Sequence, residues 1–156
     1  MKLNVEVESR SYVTQPRDES DPWDRDNTAQ SVHGVRVFVD DPKIQSWSSW
    51  GYPDIDLDVE VGDIVYVVLL RYSTGDTFGN DDGEYAVADA FTDKELANEL
   101  EEWYRRWTSS DYLMSRNGKS VPFTGEFKGK EYRIPWAGYF EHFENVEIYD
   151  CLVEEA

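Results

Sequence analysis

The sequence predicts a single α+β domain in which one main helix packs on one face of a mostly antiparallel β-sheet. Three observations support this class: a continuous apolar run at residues 64–70, several segments with period-two alternation, and one segment with apolar residues at helical spacing. The chain of 156 residues has the length of one domain, and it contains no linker long enough to separate two. We therefore treat residues 1–156 as one acidic domain.

Two strands and a long loop are predicted at the start of the chain. Apolar and polar side chains alternate in residues 2–13, as in a strand with one face in water. Residues 14–31 contain two prolines and five acidic residues, and this composition predicts a long surface loop. Residues 32–39 resume the strand pattern, which ends before Pro42 because proline disfavours continued strand pairing.

The clearest alternation leads into the centre of the predicted sheet. From residue 54 to residue 61, acidic side chains alternate with isoleucine, leucine and valine. After a turn at Gly62-Asp63, the chain continues as an apolar run from Ile64 to Leu70. Such a run is typical of a strand that is buried on both faces, so we place it at the centre of the sheet.

One helix is predicted, after a further strand at residues 84–91. Thr92 and Glu95 form a T-x-x-E capping box. Apolar residues then follow at spacings of four and three, which predicts a helix over about residues 93–107.

A hairpin and a last strand are predicted after the helix. Residues 121–127 and 130–136 have strand-like patterns on either side of Lys128-Gly129, where the chain can turn. A final strand is expected at about residues 146–153. Because most of these connections are short, most neighbouring strands should be antiparallel.

The net charge limits the class of partner. The chain has 33 Asp and Glu against 15 Lys and Arg, a net charge of −18, beside aromatic residues that a disordered acidic tail would lack. Such a surface repels nucleic acid, so we expect a basic protein partner and no direct nucleic-acid binding. A short basic set on the predicted hairpin does not outweigh this charge. The set consists of Lys119, Lys128, Lys130 and Arg133.

The sequence also carries expectations about location. The N-terminus lacks the continuous apolar stretch of a secretory signal, and the longest apolar run is far below the roughly 20 residues of a membrane-spanning helix. The single cysteine, Cys151, permits no internal disulfide, which fits a reducing compartment. We therefore expect a cytoplasmic protein without membrane contact.

No motif in the chain identifies a reaction. His33 and His142 lie in different predicted elements, and neither has a neighbouring serine or cysteine motif. Gly118-Lys119-Ser120 resembles the end of a P-loop, but Leu113 stands where that motif needs glycine. One cysteine and two distant histidines supply no usual zinc site. We therefore expect a protein that is not an enzyme, with no catalytic residues, no metal and no cofactor.

The predicted loop at residues 73–83 keeps an alternative function open. A small ligand or substrate covered by this polar, glycine-rich loop would contact its hydroxyl, carboxylate and amide groups. The candidate contacts are Ser73, Thr74, Asp76, Thr77, Asn80 and Asp82. The spacing partly matches a calcium loop, but Phe78 and Asp89 at its first and twelfth positions do not supply that loop's ligands.

Part of the chain resembles a known group of proteins. The segment VYVVLLRYSTGDTFG, followed by a strand and a capped helix, resembles a motif in small uncharacterised proteins of phages and their bacterial hosts. The opening MKLNVEVESRSYVTQPRDESDPWD and the later PWAGYFEHFENVEI are similar to the ends of those proteins. The resemblance covers most of the chain and implies a phage or mobile-element setting, with the host cytoplasm as location. It transfers no catalytic residues.

The acidic strand is the main candidate for a binding surface. Alternate side chains of a strand lie about 6.6 Å apart, which is of the same order as the phosphate spacing of a nucleic acid. The acidic row consists of Asp54, Asp56, Asp58 and Glu60. We expect it to mimic nucleic acid and to occupy a basic channel of a host defence, repair or transcription protein, with Trp47 and Trp50 as apolar anchors. An ordinary acidic solvent face, or a virion or structural protein whose charge serves solubility, is the alternative.

Overall fold

The computed structural model describes residues 1–39, 55–75, 81–108, 124–133 and 141–155. The described elements are β1 (Lys2–Gln15), β2 (Asn27–Val39), β3 (Ile55–Asp56), β4 (Ile64–Gly75), β5 (Asp81–Phe91), α1 (Lys94–Thr108), β6 (Thr124–Phe127), β7 (Lys130–Arg133) and β8 (Glu141–Glu154). Within these residues the protein is mostly β-sheet with one helix, so the predicted α+β class is confirmed at this level.

The main sheet has six strands in the order β3-β1-β2-β8-β4-β5. Its pairs are antiparallel except that of β2 with β8, where Val37 and Phe38 run parallel to Val153 and Glu154. The sheet is therefore mixed, which the sequence did not predict. β5 is the last strand in this order, yet it also lies close to β2. The sheet therefore curls into a nearly closed barrel.

The inside of this curl is filled by aliphatic side chains, here called the barrel core. Every strand of the main sheet contributes to it, and α1 does not. The barrel core consists of Leu3, Val5, Val37, Ile55, Val59, Val65, Val67, Ala90, Cys151 and Val153. Alternation in β4 directs Val65 and Val67 into this core, since successive side chains of a strand point to opposite faces.

The opposite face of β4 packs against α1 and forms the helix core. Val68 and Leu70 lie on this face, and both are fully buried. The apolar stripe of α1 that meets them consists of Ala97, Leu100, Trp103 and Tyr104. Tyr132 and Val146 complete the cluster. The prediction that residues 64–70 form a strand buried on both faces is confirmed, except that Ile64 is half exposed and Tyr66 is partly buried. The strand lies fifth in the order of six, between β8 and β5, and not at the centre of the sheet.

The start of the helix differs slightly from the prediction. The Asp93 carboxylate accepts a hydrogen bond of 2.9 Å from the backbone N–H of Glu95, and the Asp93 carbonyl accepts one from the N–H of Ala97. Asp93 is therefore the N-cap, one position after the Thr92 that the capping box suggested.

The hairpin β6–β7 turns at Lys128-Gly129, as predicted. Both residues have positive φ angles, 48° and 80°, which is the requirement of a two-residue type I′ turn. Glycine adopts such an angle without strain, while Lys128 adopts it against the usual preference of a residue with a side chain. The Tyr104 hydroxyl donates a hydrogen bond of 2.9 Å to the Arg133 carbonyl and so ties the hairpin to α1.

The first two strands extend beyond the sheet as a two-stranded arm, residues 8–34. β1 continues to Gln15 and pairs with β2 from Asn27 onward, so the connection is residues 16–26 and the predicted loop at 14–31 was too long. Every side chain from Glu8 to Gln15 is exposed. The β1 strand of the arm is therefore solvated on both faces and projects from the body of the protein.

Candidate functional site

The predicted acidic strand is a short strand followed by a bend. Only Ile55 and Asp56 belong to β3, and the chain bends at Asp58, where the Val59 N–H donates to the Leu57 carbonyl at 3.0 Å. The prediction of a straight row with even spacing was therefore wrong. Asp54, Trp47 and Trp50 lie outside the described residues.

The inward and outward sides of this segment were nevertheless predicted correctly over most of its length. Ile55 and Val59 are buried in the barrel core, and Asp56, Asp58 and Glu60 are exposed. A two-way backbone contact holds the segment against β1: the Leu57 N–H donates to the Met1 carbonyl at 3.0 Å, and the Met1 amino group donates to the Leu57 carbonyl at 2.9 Å. The same amino group lies 3.0 Å from the Asp56 carboxylate.

A turn then anchors the acidic segment, residues 56–63, to β8. The Asp63 carboxylate accepts the backbone N–H of Glu60 at 2.8 Å, and Gly62 provides the positive φ angle of 97° that the turn needs. The Gly62 N–H donates to the Val153 carbonyl at 2.8 Å, and the Val153 N–H donates to the Asp63 carbonyl at 2.9 Å. The acidic segment is therefore held at the end of the sheet by backbone hydrogen bonds.

Two large apolar side chains are exposed beside this turn. Ile64 at the start of β4 and Leu152 in β8 are directly paired across the strands, and their exposed fractions are 51% and 58%. We call them the apolar pair. Val61, in the turn itself, is 47% exposed, and Asp150, two residues before Leu152 in β8, is also exposed. Apolar side chains thus stand next to carboxylates at one end of the sheet.

The candidate ligand loop is mostly a continuation of the β4–β5 hairpin. Ser73 pairs with Gly83 and Thr74 pairs with Asp82, so these residues belong to strands and the predicted loop boundaries of 73–83 were wrong. The other candidates, Asp76, Thr77 and Asn80, lie outside the described residues. The backbone groups of these residues take part in the ladder between β4 and β5 in place of a loop.

A buried carboxylate in β5 was missed by the sequence reasoning. Asp89 is only 6% exposed and stands opposite Val68 at a β-bulge, where Ala88 is the extra residue of β5. Its Oδ2 atom accepts hydrogen bonds from the Tyr132 hydroxyl at 2.5 Å and from the Lys130 ammonium at 3.0 Å. Its Oδ1 atom accepts the N–H of Ala90 at 2.8 Å. No local motif marks Asp89, because both side-chain partners lie more than 40 positions away.

The phenols around Asp89 are held in their protonated form. Burial is the main reason that the pKa of Tyr132 is raised, and its hydrogen bond to Asp89 and the negative charge of Asp89 raise it further. Burial likewise raises the pKa of Tyr104, with smaller contributions from Tyr132 and Asp89. These phenols therefore act as hydrogen-bond donors, and the network fastens β7 onto the sheet.

The basic residues of the hairpin are largely engaged with carboxylates of the same molecule. The Lys128 ammonium forms an ion pair with Glu99 of α1, and the Lys130 ammonium pairs with Asp89. Lys119 lies outside the described residues. Similar pairs join Arg36 to Glu154 and Arg105 to Glu101. This pairing reduces the positive charge that the hairpin could offer to nucleic acid.

The single cysteine is not an activated nucleophile. Burial raises the pKa of the Cys151 thiol to about 11, and the nearby carboxylates of Asp150 and Glu154 raise it as well. A catalytic cysteine needs the opposite shift, since the thiolate is the reactive form. The thiol points toward the Val35 carbonyl at 3.4 Å and serves as a small core side chain.

Within the described ranges, no group of three or more histidine, cysteine, aspartate and glutamate side chains is arranged to hold a metal ion. The one helix in the described part of the chain is too short and too polar to cross a membrane. No family model, curated protein or solved structure matches this chain.

Proposed function

We propose that this protein is an acidic, non-enzymatic inhibitor of phage or mobile-element type that occupies the nucleic-acid channel of a basic host protein. The observation that carries the proposal is the apolar pair, Ile64 and Leu152, directly beside the acidic segment. Protein interfaces commonly combine an apolar centre with a charged rim, and the apolar part supplies most of the affinity. The proposed place of action is the cytoplasm of the host cell.

The charge of the segment supports a basic partner. Asp58 and Glu60 are exposed and belong to the segment that leads directly into Ile64. Carboxylates on such a rim speed association with a positive surface and disfavour partners of the same sign. The net charge of −18 extends this preference to the whole molecule.

The chemistry of three buried groups fits a binding protein. The side chains of Cys151, Tyr104 and Tyr132 are held in the protonated form, since burial raises the pKa of each. Asp89 is engaged by three donors of the protein itself.

The test is a binding experiment with a neutralised variant. The tagged protein is used to capture partners from its natural host, and each partner is then purified and titrated with wild type and with Asp58→Asn/Glu60→Gln/Leu152→Ser. We expect the partner to be a basic nucleic-acid-binding protein that duplex DNA displaces. The triple variant should bind at least about tenfold more weakly, because it loses rim charge and an apolar contact. Its affinity should also depend less on salt.

A control variant with the same change in charge tests whether the loss of affinity comes from this surface or from the lower net charge. Glu102→Gln/Glu126→Gln removes two exposed carboxylates from α1 and β6, and it should leave the affinity close to that of wild type. Binding that is insensitive to salt, to duplex DNA and to the triple variant would contradict the proposal, and the charge would then serve solubility alone.

A further inference from the structure

The tip of the arm, residues 16–26, presents the most exposed large apolar side chain of the described part of the chain. The Trp23 side chain is 83% exposed, compared with 49% for Tyr12 and 52% for Val13 on the shaft of the same arm. A tryptophan usually buries much of its large surface, and tryptophan is enriched among the residues that dominate protein interfaces. Its position is therefore unusual for a side chain with no binding role.

The backbone around Trp23 is held in one shape by aspartate side chains. Asp21 accepts the N–H of Trp23 at 2.9 Å, and Asp18 accepts both the N–H and the hydroxyl of Ser20, at 2.9 Å and 2.6 Å. At the base of the tip, Asp24 accepts the N–H of Asp18 and Asp26 accepts the N–H of Arg17, each at 2.6 Å. A preordered tip loses less conformational entropy on binding than a flexible one.

The arm also places the tip away from the body. The exposed stretch of β1, from Glu8 to Gln15, has the length of roughly 25 Å expected of eight extended residues. A side chain at the end of such a ribbon can enter a depression on another molecule without contact between the two bodies. This geometry suits a narrow cleft better than a flat surface.

We infer that Trp23 is an anchor that inserts into an apolar pocket bordered by lysine or arginine on a partner protein. The tip has five acidic residues and two arginines, so charge complementarity selects a basic rim around the pocket. The inference deepens the proposed function and rests on it, since both require a basic partner. The tip is a separate contact from the acidic segment and the apolar pair.

The test uses a random library of displayed 12-residue peptides, with immobilised wild type, Trp23→Ala and Tyr12→Ala as targets. Tyr12→Ala is the matched control, because it removes another exposed aromatic ring from the same arm. Wild type and Tyr12→Ala should enrich peptides that combine lysine or arginine with large apolar residues. Peptides selected on Trp23→Ala should no longer be enriched in large apolar residues. The best peptides selected on wild type should bind Trp23→Ala at least about tenfold more weakly than they bind wild type. Trp23→Ala should melt at the wild-type temperature, since the ring is exposed.

The outcomes separate the two proposals. If Trp23→Ala enriches the same peptides as wild type with the same affinity, the anchor is excluded while the preference for basic partners stands. If wild type enriches no basic peptides, the proposed function fails, and the anchor fails with it.

Discussion

The two cores on opposite faces of β4 are built from different chemistry. The barrel core holds aliphatic side chains and one thiol, and every strand of the main sheet contributes to it. The helix core holds Trp103, Tyr104 and Tyr132, whose ring centroids lie 4.9 to 6.2 Å apart. It borders the buried Asp89 and its hydrogen-bond partners. The barrel core therefore depends on shape alone, while the helix core also depends on directional hydrogen bonds that fix one arrangement of α1 and β7.

The largest expected effect comes from a matched pair of truncations, which tests whether the two cores are independent. Leu100→Ala in the helix core and Leu3→Ala in the barrel core should each lower the free energy of unfolding by about 2–5 kcal/mol, because each leaves a cavity in a packed cluster. Urea unfolding measures both losses. Near-ultraviolet circular dichroism of the folded variants should change for Leu100→Ala and stay close to wild type for Leu3→Ala. Equal changes in the aromatic signal would show that the two cores are not independent.

The buried carboxylate of Asp89 tests how far the helix core depends on its hydrogen bonds. Asp89→Ala should lower the free energy of unfolding by about 1–3 kcal/mol, since the Tyr132 hydroxyl is left buried without its acceptor. Tyr132→Phe removes the same hydrogen bond from the other side. The double variant should therefore be less destabilised than the sum of the two single variants. Additive losses in urea unfolding would mean that the two groups do not depend on each other.

Alkaline pH tests groups in both cores at once. The folded thiol of Cys151 keeps its proton up to a pKa of about 11, while an unfolded thiol titrates near 9.0. Between these values the unfolded chain has lost the proton and the folded protein has not, so the free energy of unfolding should fall as the pH rises. Tyr104 and Tyr132 act in the same direction, because their pKa values are also raised.

Two variants separate these contributions. Cys151→Ala should make the fall between pH 9 and 11 shallower, and Tyr104→Phe should make it shallower at the upper end of the range. Unfolding free energies measured across this range test both expectations. A wild-type stability that does not change from pH 9 to 11 would contradict the raised pKa values.

Local patterns were sufficient for the elements that a few neighbouring residues determine. The apolar run of β4, the spacing of Leu100 and Trp103 in α1, and the turn at Lys128-Gly129 are each set within a short stretch of chain. The parallel contact of β2 with β8 was not predictable in this way, because it joins Val37 to Val153. The bulge that places Asp89 depends on a register that only the paired strand β4 reveals.

In the candidate site, too, the features set by local sequence were predictable and those set by strand pairing were not. The exposure of Asp56, Asp58 and Glu60 followed from alternation, which needs only local sequence. The bend at Asp58 and the exposure of Ile64 did not, because both depend on where the neighbouring strands end. The outer part of the arm, residues 14–15 and 27–31, escaped prediction as strand because these mostly polar residues have no hydrophobic alternation. The two strands of the arm pair their backbone N–H and C=O groups with each other, without a core packed against them.

The position of β8 has a consequence for the order in which the protein folds during synthesis. β8 follows the other strands of the described sheet along the chain, yet it lies between the β1–β2 pair and the β4–β5 pair and joins them. While the ribosome is still adding residues 141–154, the two hairpins can form, but their facing edges have no strand between them. Such edges invite pairing with other chains. Contacts such as Val37 with Val153 also span most of the chain, and high contact order of this kind slows folding. The nascent protein therefore depends on late closure by one strand, and a charge of −18 helps to keep incomplete chains apart until then.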